Sequence, residues 1–119
     1  MRSAAVTAIA LLLLVSCKSQ EDKAQNAREK LASWVATGQM LSRNWARGVA
    51  IKPYARSTVR AASDEVEKLR EPLKDDSTSM QSLDEVSKLY EKLSHAVEQD
   101  DRSSGEAIAR AFAAIPDKS

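Results

Sequence analysis

An all-α fold, a small antiparallel bundle of three or four helices behind a cleaved N-terminal segment, is what the sequence predicts, on three observations. Gly and Pro number three each in 119 residues and aromatics make up 4%, which disfavours the turn-rich short strands of a sandwich or barrel. Ala, Leu, Lys, Glu and Arg dominate, a composition suited to long helices. Beyond Cys17 the apolar residues recur at spacings of three and four, with no competing alternation of period two. With 43% hydrophobic and 29% charged residues, the chain has the balance of one folded domain.

Residues 1–16 are a different material from the rest. Arg2 supplies a positive start, Ala4 to Val15 is apolar but for Thr7, and the small Ser16 precedes Cys17, which is the plan of a secretory signal. As a helix, those twelve residues span about 18 Å, too short for the roughly 30 Å core of a bilayer. A core helix would be amphipathic, and this segment is apolar all round.

Leu14-Val15-Ser16-Cys17 resembles the lipobox of bacterial lipoproteins, in which a Leu-type residue, a small or β-branched residue and a Gly, Ala or Ser precede the modified Cys. The resemblance covers these four residues and the signal before them. It implies cleavage between Ser16 and Cys17, diacylglycerol on the Cys17 thiol, and a further acyl group such as palmitate on the new N-terminus. Two or more buried acyl chains anchor stably where one binds only reversibly. The resemblance also implies a destination. An Asp after the Cys often retains such proteins at the inner membrane; Lys18 stands there instead, which leans toward the outer membrane, facing the periplasm.

The expected organisation is a signal over 1–16, a lipidated N-terminus and short tether over 17–26, and a helical domain over 27–119. Ser19 to Asn26 is polar, a tether or a fraying first turn; fully extended, its eight residues reach roughly 27 Å. The first helix carries the stripe Ala24, Ala27, Leu31, Trp34, Gly38, Leu41 and Trp45. Gly38 is its weak point and implies either close helix approach or a kink. Gly48 and Pro53 bracket its end. The second helix places Ala55, Val59, Ala62, Val66 and Leu69 on one face and closes at Pro72. Asp75 to Ser79 reads as a loop, with Thr78 and Gln81, or Ser82 and Glu85, as capping boxes for a third helix striped by Leu83, Val86, Tyr90, Leu93 and Val97. Asp100 to Ser104 breaks the chain again. Ser103 with Glu106 repeats the capping pattern before a last helix carrying Ala107, Ile108, Ala111, Phe112 and Ile115. A chain of this size buries only about 60 to 68% of its surface, so a partner or an oligomer is expected to supplement its core.

The charges are segregated. Lys18 to Lys74 holds twelve basic and seven acidic residues, while Asp75 to Ser119 holds five basic and ten acidic. No acid occurs between Glu29 and Asp64, where Arg43, Arg47, Arg56 and Arg60 form two pairs, each one helical turn apart. Two readings stand open. These arginines, flanked by Trp45 and Tyr54, meet anionic headgroups or an acidic protein or cell-wall partner, or the basic half simply pairs with the acidic half. An exported, lipid-anchored chain has little occasion to meet nucleic acid.

No catalytic constellation emerges. His95 is the single histidine; with Met40 it is a conceivable axial pair for haem in a ligand-binding bundle, but it falls at the edge of the Leu93 and Val97 stripe. One His and one acylated Cys make no zinc set, and no Ser, His and acid order is defensible. Asp75-Asp76 and Asp100-Asp101 lack the regular oxygen spacing of a calcium loop. The expectation is a non-enzymatic protein without metal or cofactor beyond the covalent lipid, acting in protein binding or envelope organisation.

Overall fold

The computed structural model describes the backbone of residues 2–116 and the side chains of residues 19–116. The lipobox side chains, Leu14 to Cys17, lie outside the described ones. Five helices follow in order: α1 (Arg2–Ala46), α2 (Lys52–Lys68), α3 (Arg70–Leu73), α4 (Ser77–Glu98) and α5 (Gly105–Ala113). Among the described residues there is no strand, as the sequence led us to expect, and no helix is long and apolar enough to cross a membrane.

The 45 residues of α1 account for the long axis of the molecule: at about 1.5 Å per residue they span roughly 67 Å, against a greatest extent of 70 Å. The stretch Ser19 to Asn26 belongs to this helix, so it covers about 12 Å where an extended tether would reach more than twice as far. From Ala27 onward the helix has partners. Ala27, Leu31, Leu41 and Trp45 are buried, whereas Ala24 and Trp34 are only partly covered.

Gly38 marks a close approach, not a kink. A Cβ built there would lie 2.5 Å from Phe112 Cζ, so hydrogen is the only side chain that fits beneath the ring. Gly105 serves the same purpose at the start of α5, where a Cβ would meet the Ser42 carbonyl oxygen at 2.6 Å. These contacts lay α5 antiparallel against the C-terminal half of α1. Ser42, buried on α1, donates its hydroxyl to the Gly38 carbonyl at 2.7 Å, so no polar atom is stranded in that seam.

Each turn has a local cause. Gly48 adopts φ +74°, and the Gly48 and Val49 N–H groups donate back to the Trp45 and Asn44 carbonyls, the paired bonds of a Schellman ending. α4 ends the same way with Asp100 at φ 55°; its N–H and that of Asp101 return to Val97 and Ala96. The second helix stops earlier than its apolar stripe suggested. Pro72 has no N–H for the Lys68 carbonyl and its ring crowds that position, so α2 ends at Lys68 and Pro72 lies within the single turn of α3.

Neither capping box anticipated for the third helix forms. Asp76 caps α4 instead, accepting the Ser79 N–H at 3.1 Å and its hydroxyl at 2.7 Å, which begins the helix at Ser77 inside the expected loop. Before α5 the Ser103–Glu106 pair is likewise unused; Asp101 gathers the Ser103 hydroxyl and the Ser104 N–H and hydroxyl. A carboxylate offers about four lone-pair sites on two charged oxygens, against two on one neutral serine oxygen.

The core is one cluster drawn from all five helices. Tyr90 and Phe112 meet edge to face at its centre, with ring centroids 5.0 Å apart. The Tyr90 hydroxyl donates to the Trp34 carbonyl, and burial pushes its phenol above the ordinary range. On α5 the exposed Ala107 leaves the anticipated stripe and the fully buried Ala109 takes its place.

Candidate functional site

The α1–α2 turn carries the clearest departure from an ordinary surface. Val49, Ile51 and Tyr54 are 70, 63 and 58% exposed, within six residues of chain. Turns normally expose polar residues, and Gly48 and Pro53 fix this one so that its two β-branched side chains project outward. Ala50 between them is buried and pins the turn to the core.

The turn is also held rigidly from behind. Arg102 donates to the carbonyls of Trp45 and Ala50 at 2.9 and 3.0 Å, and its guanidinium lies 4.1 Å from the centroid of the Trp45 ring. The buried Trp45 indole N–H in turn donates to the Asp101 carbonyl at 2.8 Å. The connection between α4 and α5 thus locks the one between α1 and α2. Trp45 belongs to this lock and to the core, not to an exposed aromatic flank.

Cations surround the turn, mostly in pairs. Arg56 donates to both Glu98 oxygens at 2.6 and 2.9 Å, Lys52 reaches Asp100 at 3.1 Å, and Arg47 stands 3.9 Å from Glu106. Arg56 holds the Glu98 carboxyl below its ordinary range, chiefly through that hydrogen bond. No ion pair within 4.0 Å joins Arg43 or Arg60 to a carboxylate among the described residues. The four arginines therefore do not form one group: Arg47 faces α5, Arg56 faces α4, Arg60 shares the outer side of α2 with Arg56 and Asp64, and Arg43 lies half-buried in the last turn of α1. Pairing between the basic and acidic halves accounts for two of them and for Arg28, which meets Asp76 at 3.3 Å.

His95 and Met40 are both exposed, Met40 at 59%, and neither enters the core. Among the described residues no group of three or more His, Cys, Asp or Glu side chains could hold a metal ion. Asp76 caps α4 and Asp101 ties together the Ser103–Ser104 turn ahead of α5, each held below the ordinary carboxylate range first by the serine hydroxyl that donates to it.

A groove of about 250 Å3 runs along the other half of the molecule, between α1, the first turns of α4 and the end of α5. It exists because α5 spans only nine residues and leaves the neighbouring face of α1 uncovered. Sequence reasoning missed both surface features. The signal for the turn was an apolar pair, Val49 and Ile51, between two breakers; for the groove it was the small residues Ala32 and Ala36 beside the α1 stripe.

Fold and site together define a small all-helical protein with an apolar turn at one end and a groove near the other. Comparison with protein-family models, with curated proteins and with solved structures finds no match in any of the three.

Proposed function

We propose that the chain is a non-enzymatic bacterial lipoprotein, anchored through Cys17 to the outer membrane and facing the periplasm, whose antiparallel helical bundle binds a protein partner through the α1–α2 turn. One observation carries the binding half of this reading: Val49 and Ile51 in a rigidly held turn and Tyr54 in the first turn of α2 are all exposed within six residues of chain. A concentrated exposed apolar cluster rimmed by charge is the usual mark of an interaction surface. The lipobox resemblance supplies the anchor, and α1 supplies the geometry. From Cys17 to Ala46 the helix rises about 44 Å, which holds the turn well away from a membrane at the anchored end.

The ring of Arg47, Lys52 and Arg56 suits a partner carrying acidic residues around an apolar contact. Neither Met40 nor His95 faces the interior where an axial haem pair would sit, so the geometry lends the haem alternative no support.

Photo-crosslinking from position 51 in intact cells tests the reading. It predicts one dominant protein adduct, lost when Val49→Asp is added beside the probe; absence of any adduct, or one that survives Val49→Asp, contradicts it.

A further inference from the structure

We infer that the groove beside α1 is a binding site for a single-chain anionic amphiphile: one unbranched alkyl tail ending in a carboxylate. Its floor is apolar. Leu31 and Val35 on α1 face Phe112 and Ile115 from α5, and the small Ala32 and Ala36 keep the channel open. On α1 the lining runs over the twelve residues from Arg28 to Gln39, about 17 Å of helix, so the site is elongated.

Size selects the tail. A buried apolar cavity of about 150 Å3 holds one benzene, and drug-sized pockets begin near 300 Å3. A groove of about 250 Å3, open along one side, covers one alkyl chain laid along its floor and would leave most of a second chain or a porphyrin in water. A two-tailed phospholipid is a poor match for the same reason.

Charge selects the head. Among the described residues Arg28 is the one ionised side chain in the lining, at the end of the groove opposite Gln39, with the Thr78 and Ser82 hydroxyls on the nearby α4 wall. Arg28 now contacts Asp76 at 3.3 Å and donates to Gln25 at 2.8 Å. Asp76 does not depend on that contact, because the Ser79 N–H and hydroxyl already satisfy it. Arg28 can therefore turn to a ligand carboxylate without stranding its present partner, and the apolar floor leads from it toward Gln39.

Calorimetric titration of the full chain carrying Cys17→Ser, which removes any lipid of its own, tests the inference with laurate as probe. One laurate per chain is expected, bound saturably below its micelle concentration. Val35→Trp, or Ala36→Leu at the exposed rim should the first variant fail to fold, is expected to weaken binding at least tenfold with an unchanged circular-dichroism melt. Arg28→Gln is expected to weaken laurate several-fold and leave dodecanol unaffected. Non-saturable uptake, or equal affinity in a folded groove variant, overturns the site. Equal binding of dodecylamine overturns the carboxylate. If the acylated wild-type protein excludes laurate while Cys17→Ser takes it, the groove belongs to the protein's own anchor chain, which overturns the free ligand.

Discussion

The Arg102 guanidinium lies over the Trp45 indole, 4.1 Å from the ring centroid, while donating to the carbonyl of that same residue at 2.9 Å. One side chain thereby fastens the α4–α5 connection to the end of α1 and, through the Ala50 carbonyl, to the exposed turn. Arg102→Ala leaves two part-buried carbonyls without this donor and removes the ring contact, so it should cost about 2–3 kcal/mol in urea unfolding. Arg102→Lys should recover only part of that, since an ammonium lacks the planar fork. Wild-type stability in Arg102→Lys would show that the charge alone matters.

Gly38→Ala sets a helix gain against a clash. Alanine favours the helix by about 1 kcal/mol, but its methyl would lie within 3 Å of three Phe112 ring atoms. Overpacking of this kind costs about 1–3 kcal/mol, so a net loss is expected. Adding Phe112→Leu should relieve the clash, and a double-mutant cycle should give a coupling energy above about 0.5 kcal/mol. Additive effects would place the constraint elsewhere.

Asp100 at φ 55° occupies a site where glycine is the natural choice. Asp100→Gly should raise stability by about 0.5–1 kcal/mol, whereas Gly48→Ala, at φ +74°, should lower it by about 1 kcal/mol. Thermal unfolding of both distinguishes backbone strain from the exposed Lys52–Asp100 pair, whose loss would make Asp100→Gly destabilising.

Acid should destabilise the fold through three of its carboxylates. Asp76 and Asp101 ionise below their ordinary range because Ser79 and Ser104 donate to them, and Glu98 does so because of Arg56. Groups lowered in this way stabilise the folded state above the unfolded carboxylate range, and that contribution disappears as pH falls through their folded values. The urea midpoint should therefore drop below about pH 4, and Asp76→Asn with Asp101→Asn should flatten the drop. Tyr90 has the opposite sign: its raised phenol favours the fold at neutral pH and ceases to do so as pH climbs past about 10, an effect absent in Tyr90→Phe.

Much of the fold was legible in the sequence because the three-and-four spacing of Ala27, Leu31, Leu41 and Trp45, or of Val86, Tyr90, Leu93 and Val97, states which face is buried. What the pattern could not state were choices between equivalent local solutions. Asp76 outcompeted Thr78 and Ser82 as a cap because its carboxylate accepts from Ser79 twice. Pro72 acted on the Lys68 carbonyl rather than at its own position. The surface features were harder still. Whether Val49 and Ile51 fold inward depends on Ala50 and Arg102, and the second of these lies about fifty residues away.

The anchor is the premise on which the reading of the turn as a membrane-distal contact depends. Intact-mass and fragment analysis of the protein isolated from bacterial membranes tests it most directly. The account predicts a chain that begins at Cys17 and carries a thioether-linked diacylglycerol and an N-terminal acyl group; a chain that retains Met1, or one with an unmodified Cys17 thiol, would contradict it.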